Sequence, residues 1–134
     1  MKKTTLLSKA LWANVIFAEV GALAFLFLGN KLPFLDEMAG GRPLLLGAEL
    51  LLLSGLATYA ALRPAQSRRL IQVIVAMNLL LAGFYLETLF WGPTLSVLAF
   101  ELLLLDTAIL VALAVAQVVG LRAVFSTKNV TLTV

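Results

Sequence analysis

Four apolar runs divide this chain, at about residues 10–29, 44–62, 70–91 and 94–119. Each is close to the roughly 20 residues that a helix, rising about 1.5 Å per residue, needs to cross about 30 Å of hydrocarbon. Their Leu, Ala, Val and Phe suit helices, whereas barrel strands would alternate over segments of about ten residues. The chain has 134 residues, 62% of them apolar and 13% charged. A soluble domain averages about 45–50% apolar and roughly 25% charged. So short a chain has too little interior to hide the surplus, which must face lipid. The sequence therefore predicts an all-α membrane protein. It is a single domain over 1–134, an antiparallel bundle of four transmembrane helices.

The connections set orientation. Lys2, Lys3 and Lys9 precede the first run, Arg63, Arg68 and Arg69 lie between the second and third, and Arg122 and Lys128 follow the fourth. That is eight basic residues on one side against two, Lys31 and Arg42, on the other. The basic side is expected to be cytoplasmic, with both termini there. Short second and third connections, a basic hairpin at 63–69 and a tight Trp91-Gly92-Pro93-Thr94 turn, make neighbouring helices antiparallel. The first loop, Asn30 to Pro43, mixes Leu32, Phe34, Leu35 and Met38 with Asp36, Glu37 and Gly40-Gly41. Two readings stand for it, a plain tether and a flap lying in the interface. Met1-Lys2-Lys3 before an apolar run resembles a signal peptide. The run is too long for one, however, and holds Asn14 and Glu19 with no small-x-small site after it, so it is read as the first membrane helix. An Asn129-Val130-Thr131 sequon on a cytoplasmic tail has no expected use.

The chain has no Cys and no His, which excludes disulfides, thiol redox chemistry, histidine-ligated haem and the usual zinc sites. No cofactor and no metal is expected. The net charge of +3 is clustered at segment ends, a pattern for anionic lipid and not for nucleic acid.

Of seven acidic residues, five lie inside the apolar runs: Glu19, Glu49, Glu87, Glu101 and Asp106. No Lys or Arg lies in a run's interior to pair with them. A charge at a helix centre costs roughly 2.5–3.5 kcal/mol on insertion scales. Such acids are protonated, share protons, or line a cavity holding water or ligand. Counting residues puts Glu19 and Asp106 near the midplane, and Glu49 and Glu101 roughly 10 Å below the outer boundary. Asn78 lies near the middle of the third helix and Asn14 in the inner half of the first. A cavity opening outward, or sideways to lipid, would collect these groups. Asn78 and Tyr85 share a face, as do Asp106 and Gln117. Glu87 is about half a turn round from Asn78 near the outer end, where it either snorkels to the interface or joins the site. Ala108, Ala112 and Ala116 form a small-residue ridge for close helix approach, within this chain or in a homodimer. Glu101, on nearly the same side, is expected to point at another helix. The aromatic residues fit interfacial belts and lipid-facing packing.

Asn14-Val-Ile-Phe-Ala-Glu-Val-Gly21, Arg63-Pro64, Arg69, Asn78 and Gln117-Val-Val-Gly-Leu-Arg122 resemble the pattern of a family of small bacterial four-helix membrane proteins. The resemblance implies a fold and a bacterial inner membrane, and no particular activity. Ala18-Glu19-Val20-Gly21 also resembles the first-helix glutamate segment of the small multidrug resistance transporters, which that family uses for proton and cation exchange. Later helices depart from that pattern by carrying extra acids, and the eight-to-two charge bias departs from its dual topology.

Three functions compete for these residues. The first is an intramembrane acid/base enzyme performing isomerisation, cyclisation or epoxide opening on a lipophilic small molecule that enters from the bilayer. Glu19, Glu49, Glu101 and Asp106 would supply acid and base, with Asn14, Asn78, Tyr85 and Glu87 holding substrate. The second is a proton-coupled carrier of small molecules or cations, acting as a dimer. The third is a non-catalytic accessory subunit, its polar residues and Ala ridge mediating contacts.

Overall fold

A computed structural model describes the backbone of residues 6–63, 68–91 and 95–133, and the side chains of those up to Ala123. Lys2, Lys3, Pro64–Ser67, the Gly92-Pro93-Thr94 turn and the side chains of Lys128 and Asn129, each used above, lie outside these described residues. Five helices follow in order: α1 (Leu6–Leu23), which continues into a π-helical segment (Ala24–Leu28), α2 (Pro33–Met38), α3 (Pro43–Leu62), α4 (Arg68–Trp91) and α5 (Val97–Thr133). Among the described residues there is no strand. Four spans, Leu6–Leu28, Pro43–Leu62, Arg68–Trp91 and Val97–Ala123, are long and apolar enough to cross a membrane. Ile16, Val20, Leu80, Phe90 and Val97 are exposed on the outside of the bundle, so apolar side chains cover the surface as well as the core. Such helices point to a multi-pass membrane protein.

Local chemistry sets several helix ends. Pro33 and Pro43 open α2 and α3, where the missing N–H has no intrahelical partner to lose. α3 stops at Leu62 because Arg63, at φ −71° and ψ 139°, is extended, as the residue before a proline prefers. α1 begins before, and α5 continues beyond, the limits read from hydropathy. Apolarity marks only the part of a helix that sits in hydrocarbon. Backbone hydrogen bonding carries the helix past that limit, and no proline follows Gly120 to stop it.

The pairs α1–α3 and α4–α5 pack most closely, α1 and α5 join the two pairs, and α3 and α4 touch over a shorter stretch. Glycines mark the close approaches. A Cβ on Gly21 would meet Leu50 Cδ1 at 3.0 Å, one on Gly47 would meet Leu26 Cγ at 2.7 Å, and one on Gly29 would meet Pro43. The register, 21 with 50, 26 with 47 and 29 with 43, makes α1 and α3 antiparallel. At the end of the bundle where α1 begins, Gly120 lies against the Leu7 backbone, so α5 runs antiparallel to α1. The buried layer between the helices includes Leu7, Leu11, Leu50, Leu53, Ile71, Ile74, Leu103 and Leu110.

Candidate functional site

α1 and α5 touch at Gly120 and Leu7, and toward the α2 end a cavity of about 740 Å³ lies between them. Its walls are Ala13, Phe17 and Val20 of α1 and Leu102, Asp106 and Ile109 of α5, with Leu50 and Tyr85 behind. Ile16 and Val20 line it and are also exposed on the outer surface, so the cavity opens sideways where lipid would be. The π segment supplies Ala24, Phe25 and Leu28 to the wall. Such wider turns often occur where a helix is shaped around a functional site.

The first loop forms the roof. Leu32, Phe34, Leu35 and Met38 line the cavity from above, and Leu35 and Met38 are buried. The loop thus covers the cavity on the α2 side. α2 ends at Ala39, and Gly40 and Gly41, at φ 62° and 82°, take the left-handed conformation that closes a helix C-terminus. Gly40 N–H donates to Glu37 O and Gly41 N–H to Asp36 O, the pair of bonds expected of that cap. Glu37 then reaches across to α5. Its Oε2 accepts bonds from the Ser96 hydroxyl at 2.7 Å and the Ser96 backbone N–H at 3.3 Å. Ser96 caps α5 in turn, its hydroxyl accepting from Ala99 N–H. Glu37 thus supplies from α2 the acid that a capping box normally holds within its own helix.

Among the described residues that line the cavity, only Tyr85 and Asp106 carry polar side-chain groups. Tyr85 is fully buried and Asp106 half-buried. The expected convergence of all the membrane acids is corrected here. Glu19 faces α3 and accepts a bond from the Ser54 hydroxyl at 2.7 Å, and it is not among the cavity residues. Glu49, Glu87 and Glu101 are exposed on the outside of the bundle. Glu101 therefore does not point at another helix of this chain. Ala108 and Ala112 are exposed beside it and Ala116 is half-buried, so the ridge faces largely outward. Among the described residues no three acids come together closely enough to share a metal ion. The physical reason lies in helix rotation: residue spacing gives relative facing on one helix, but packing decides which face turns inward.

The second polar cluster consists of amides. Asn14, Asn78 and Gln117, from α1, α4 and α5, are fully buried and hydrogen-bonded to one another. Asn14 lies about 12 Å from the start of α1 and Asn78 about 15 Å from the start of α4, below Tyr85 and Asp106. The sequence reading named Asn14 and Asn78 as substrate-holding groups and placed Gln117 only on the face of Asp106. Depth was the signal that would have found it: Asn14 follows Lys9 by five residues, and Gln117 precedes Arg122 by five. No family model, characterised protein or solved structure matches the chain.

Proposed function

We propose that this protein is an intramembrane acid/base enzyme, an isomerase of a lipophilic small molecule that enters the α1–α5 cavity from the bilayer. The observation that carries this reading is that Asp106 and Tyr85 line one cavity whose other described walls are apolar. Apolar walls favour a lipophilic ligand, and a small number of polar groups fixes its orientation. With a single carboxyl group at the cavity, isomerisation is the reaction that balances most simply. Asp106 takes a proton from a carbon beside a carbonyl, and the Tyr85 hydroxyl donates a hydrogen bond to the carbonyl oxygen as it gains charge. The same carboxyl group then returns the proton to a different carbon, so no co-reactant is consumed. Opening an epoxide would need a further nucleophile. The basic residues support both termini lying in the cytoplasm, and the family resemblance supports a bacterial inner membrane.

The test begins by finding the ligand. Lipophiles extracted from purified wild-type protein are compared by mass spectrometry with those from Ala24→Trp, which fills part of the cavity. Compounds held by the wild type alone are then incubated with protein in deuterated water. Wild type should wash deuterium into them, and Asp106→Asn should slow this by about 10² or more, the usual worth of a positioned acid/base. Identical extracts, or equal exchange by Asp106→Asn, would refute the reading.

A specific observation favours one addition. Glu101 and the exposed Ala108 and Ala112 lie on one outward face, and small residues of this kind let a second helix approach. We propose that a second copy packs there. The chain lacks cysteine, so an introduced Ala112→Cys should form a disulfide-linked dimer in membranes, while Val73→Cys on another exposed face should not. Equal crosslinking at both positions would count against it.

A further inference from the structure

The three buried amides bond in an arrangement that fixes the direction of each. Asn14 Oδ1 accepts from Asn78 Nδ2 and from Gln117 Nε2, both at 2.7 Å. Asn78 Nδ2 also donates to Gln117 Oε1 at 3.1 Å. Turning Asn14 over would set its NH2 group against two others. Turning Asn78 would set its oxygen against two oxygens, and turning Gln117 would create one clash of each kind. No single rotation improves the network. Two atoms then remain without a partner among the described residues, Asn14 Nδ2 and Asn78 Oδ1. Each shares an amide carbon with an atom of the 2.7 Å bond between the two residues, so both flank the same contact.

We propose that this cluster is a binding site for one hydroxylic oxygen, which accepts a hydrogen bond from Asn14 Nδ2 and donates one to Asn78 Oδ1. The complementary pair selects the chemistry. A carbonyl or ether oxygen cannot donate to Asn78, and an ammonium group cannot accept from Asn14. An ion is disfavoured because all three surrounding side chains are neutral. Buried polar groups of this kind are ordinarily met by ordered water. The alcohol group of a cavity ligand has the same chemistry, and the cavity reaches down α1 to Ala13, the residue before Asn14. The site is independent of whether Asp106 exchanges protons.

The chain holds four asparagines, at 14, 30, 78 and 129. Nitrogen-15 asparagine labelling of an Asn30→Ser/Asn129→Ser variant in lipid nanodiscs therefore leaves two side-chain amide signals. Asn78→Gln identifies which of them is Asn14. The expected result is a cross-relaxation peak between the Asn14 amide and a hydroxylic proton. A peak at the water frequency that survives exhaustive detergent washing assigns the occupant as water. A peak at another frequency that is lost on washing assigns it as a ligand alcohol. Absence of any such peak, before and after washing, would overturn the proposal.

Discussion

Gly120→Ala is the substitution that most directly tests how the cavity is closed at its lower end. A Cβ there would stand 2.8 Å from Leu7 N and 2.9 Å from Leu7 Cα and Cβ. Ordinary carbon contacts lie near 3.5–4.0 Å, so α1 and α5 must part by roughly half an ångström or more. Backbone atoms cannot turn aside as a side-chain tip can, which places the strain in the upper part of the ~1–3 kcal/mol range for overpacking. The same retreat pulls on the 2.7 Å bond from Gln117 to Asn14; a buried hydrogen bond between membrane helices averages about 0.6 kcal/mol. Against this stands alanine's helix propensity, worth up to about 1 kcal/mol over glycine. The net expectation is destabilisation by about 1–3 kcal/mol. Gly55→Ala and Gly83→Ala are matched controls, because nothing lies within 4 Å of a Cβ at either position. They should be neutral, or stabilising by up to about 1 kcal/mol. The assay is unfolding in mixed micelles by titration with dodecyl sulfate, followed by circular dichroism. If Gly120→Ala unfolds with its controls, α1 and α5 do not meet at Gly120.

Three further outcomes are expected. Glu37→Ala should release α2 from Ser96 and raise amide hydrogen exchange over residues 33–38 and 96–99, with a loss of about 1 kcal/mol as for a removed cap; unchanged protection would mean that the roof is held by its apolar contacts alone. Ser54→Ala should cost about 0.6 kcal/mol, and at most about 1.7, by removing the bond to Glu19, measured by the same micelle titration. Glu49→Gln and Glu101→Gln, at exposed positions, should leave the set of retained lipophiles unchanged in the extraction assay, whereas Asp106→Leu should alter it.

The four long helices were legible because the requirement for them is one-dimensional. A span must hold about 20 apolar residues whatever it packs against, so composition along the chain suffices. Pro43 and the glycine pair at 40 and 41 were equally visible as punctuation, whereas the short α2 before them was not anticipated, since both readings of the first loop were of an irregular segment. The candidate site was only partly legible. Asp106, Tyr85, Asn14 and Asn78 were singled out, and each lines the cavity or joins the amide cluster. Glu19, Glu49 and Glu101 were singled out on the same grounds, yet they lie at a helix seam or on the outside.

The amino-acid sequence by itself determined that this chain makes four membrane-length helices, that its apolar runs hold acids without bases, and that disulfides, thiol chemistry, histidine-ligated haem and the usual zinc sites are excluded. Only the tertiary structure decided how each helix is rotated and where α1 and α5 separate. Those two choices send Asp106 inward, turn Glu101 outward and bring Gln117 to Asn14. The physical reason is that lipid is as apolar as leucine, so in helices apolar on every face hydropathy does not tell the inner side from the outer. Rotation is set instead by close packing at positions such as Gly21, Gly47 and Gly120, and by hydrogen bonds between residues as far apart in the chain as 14 and 117.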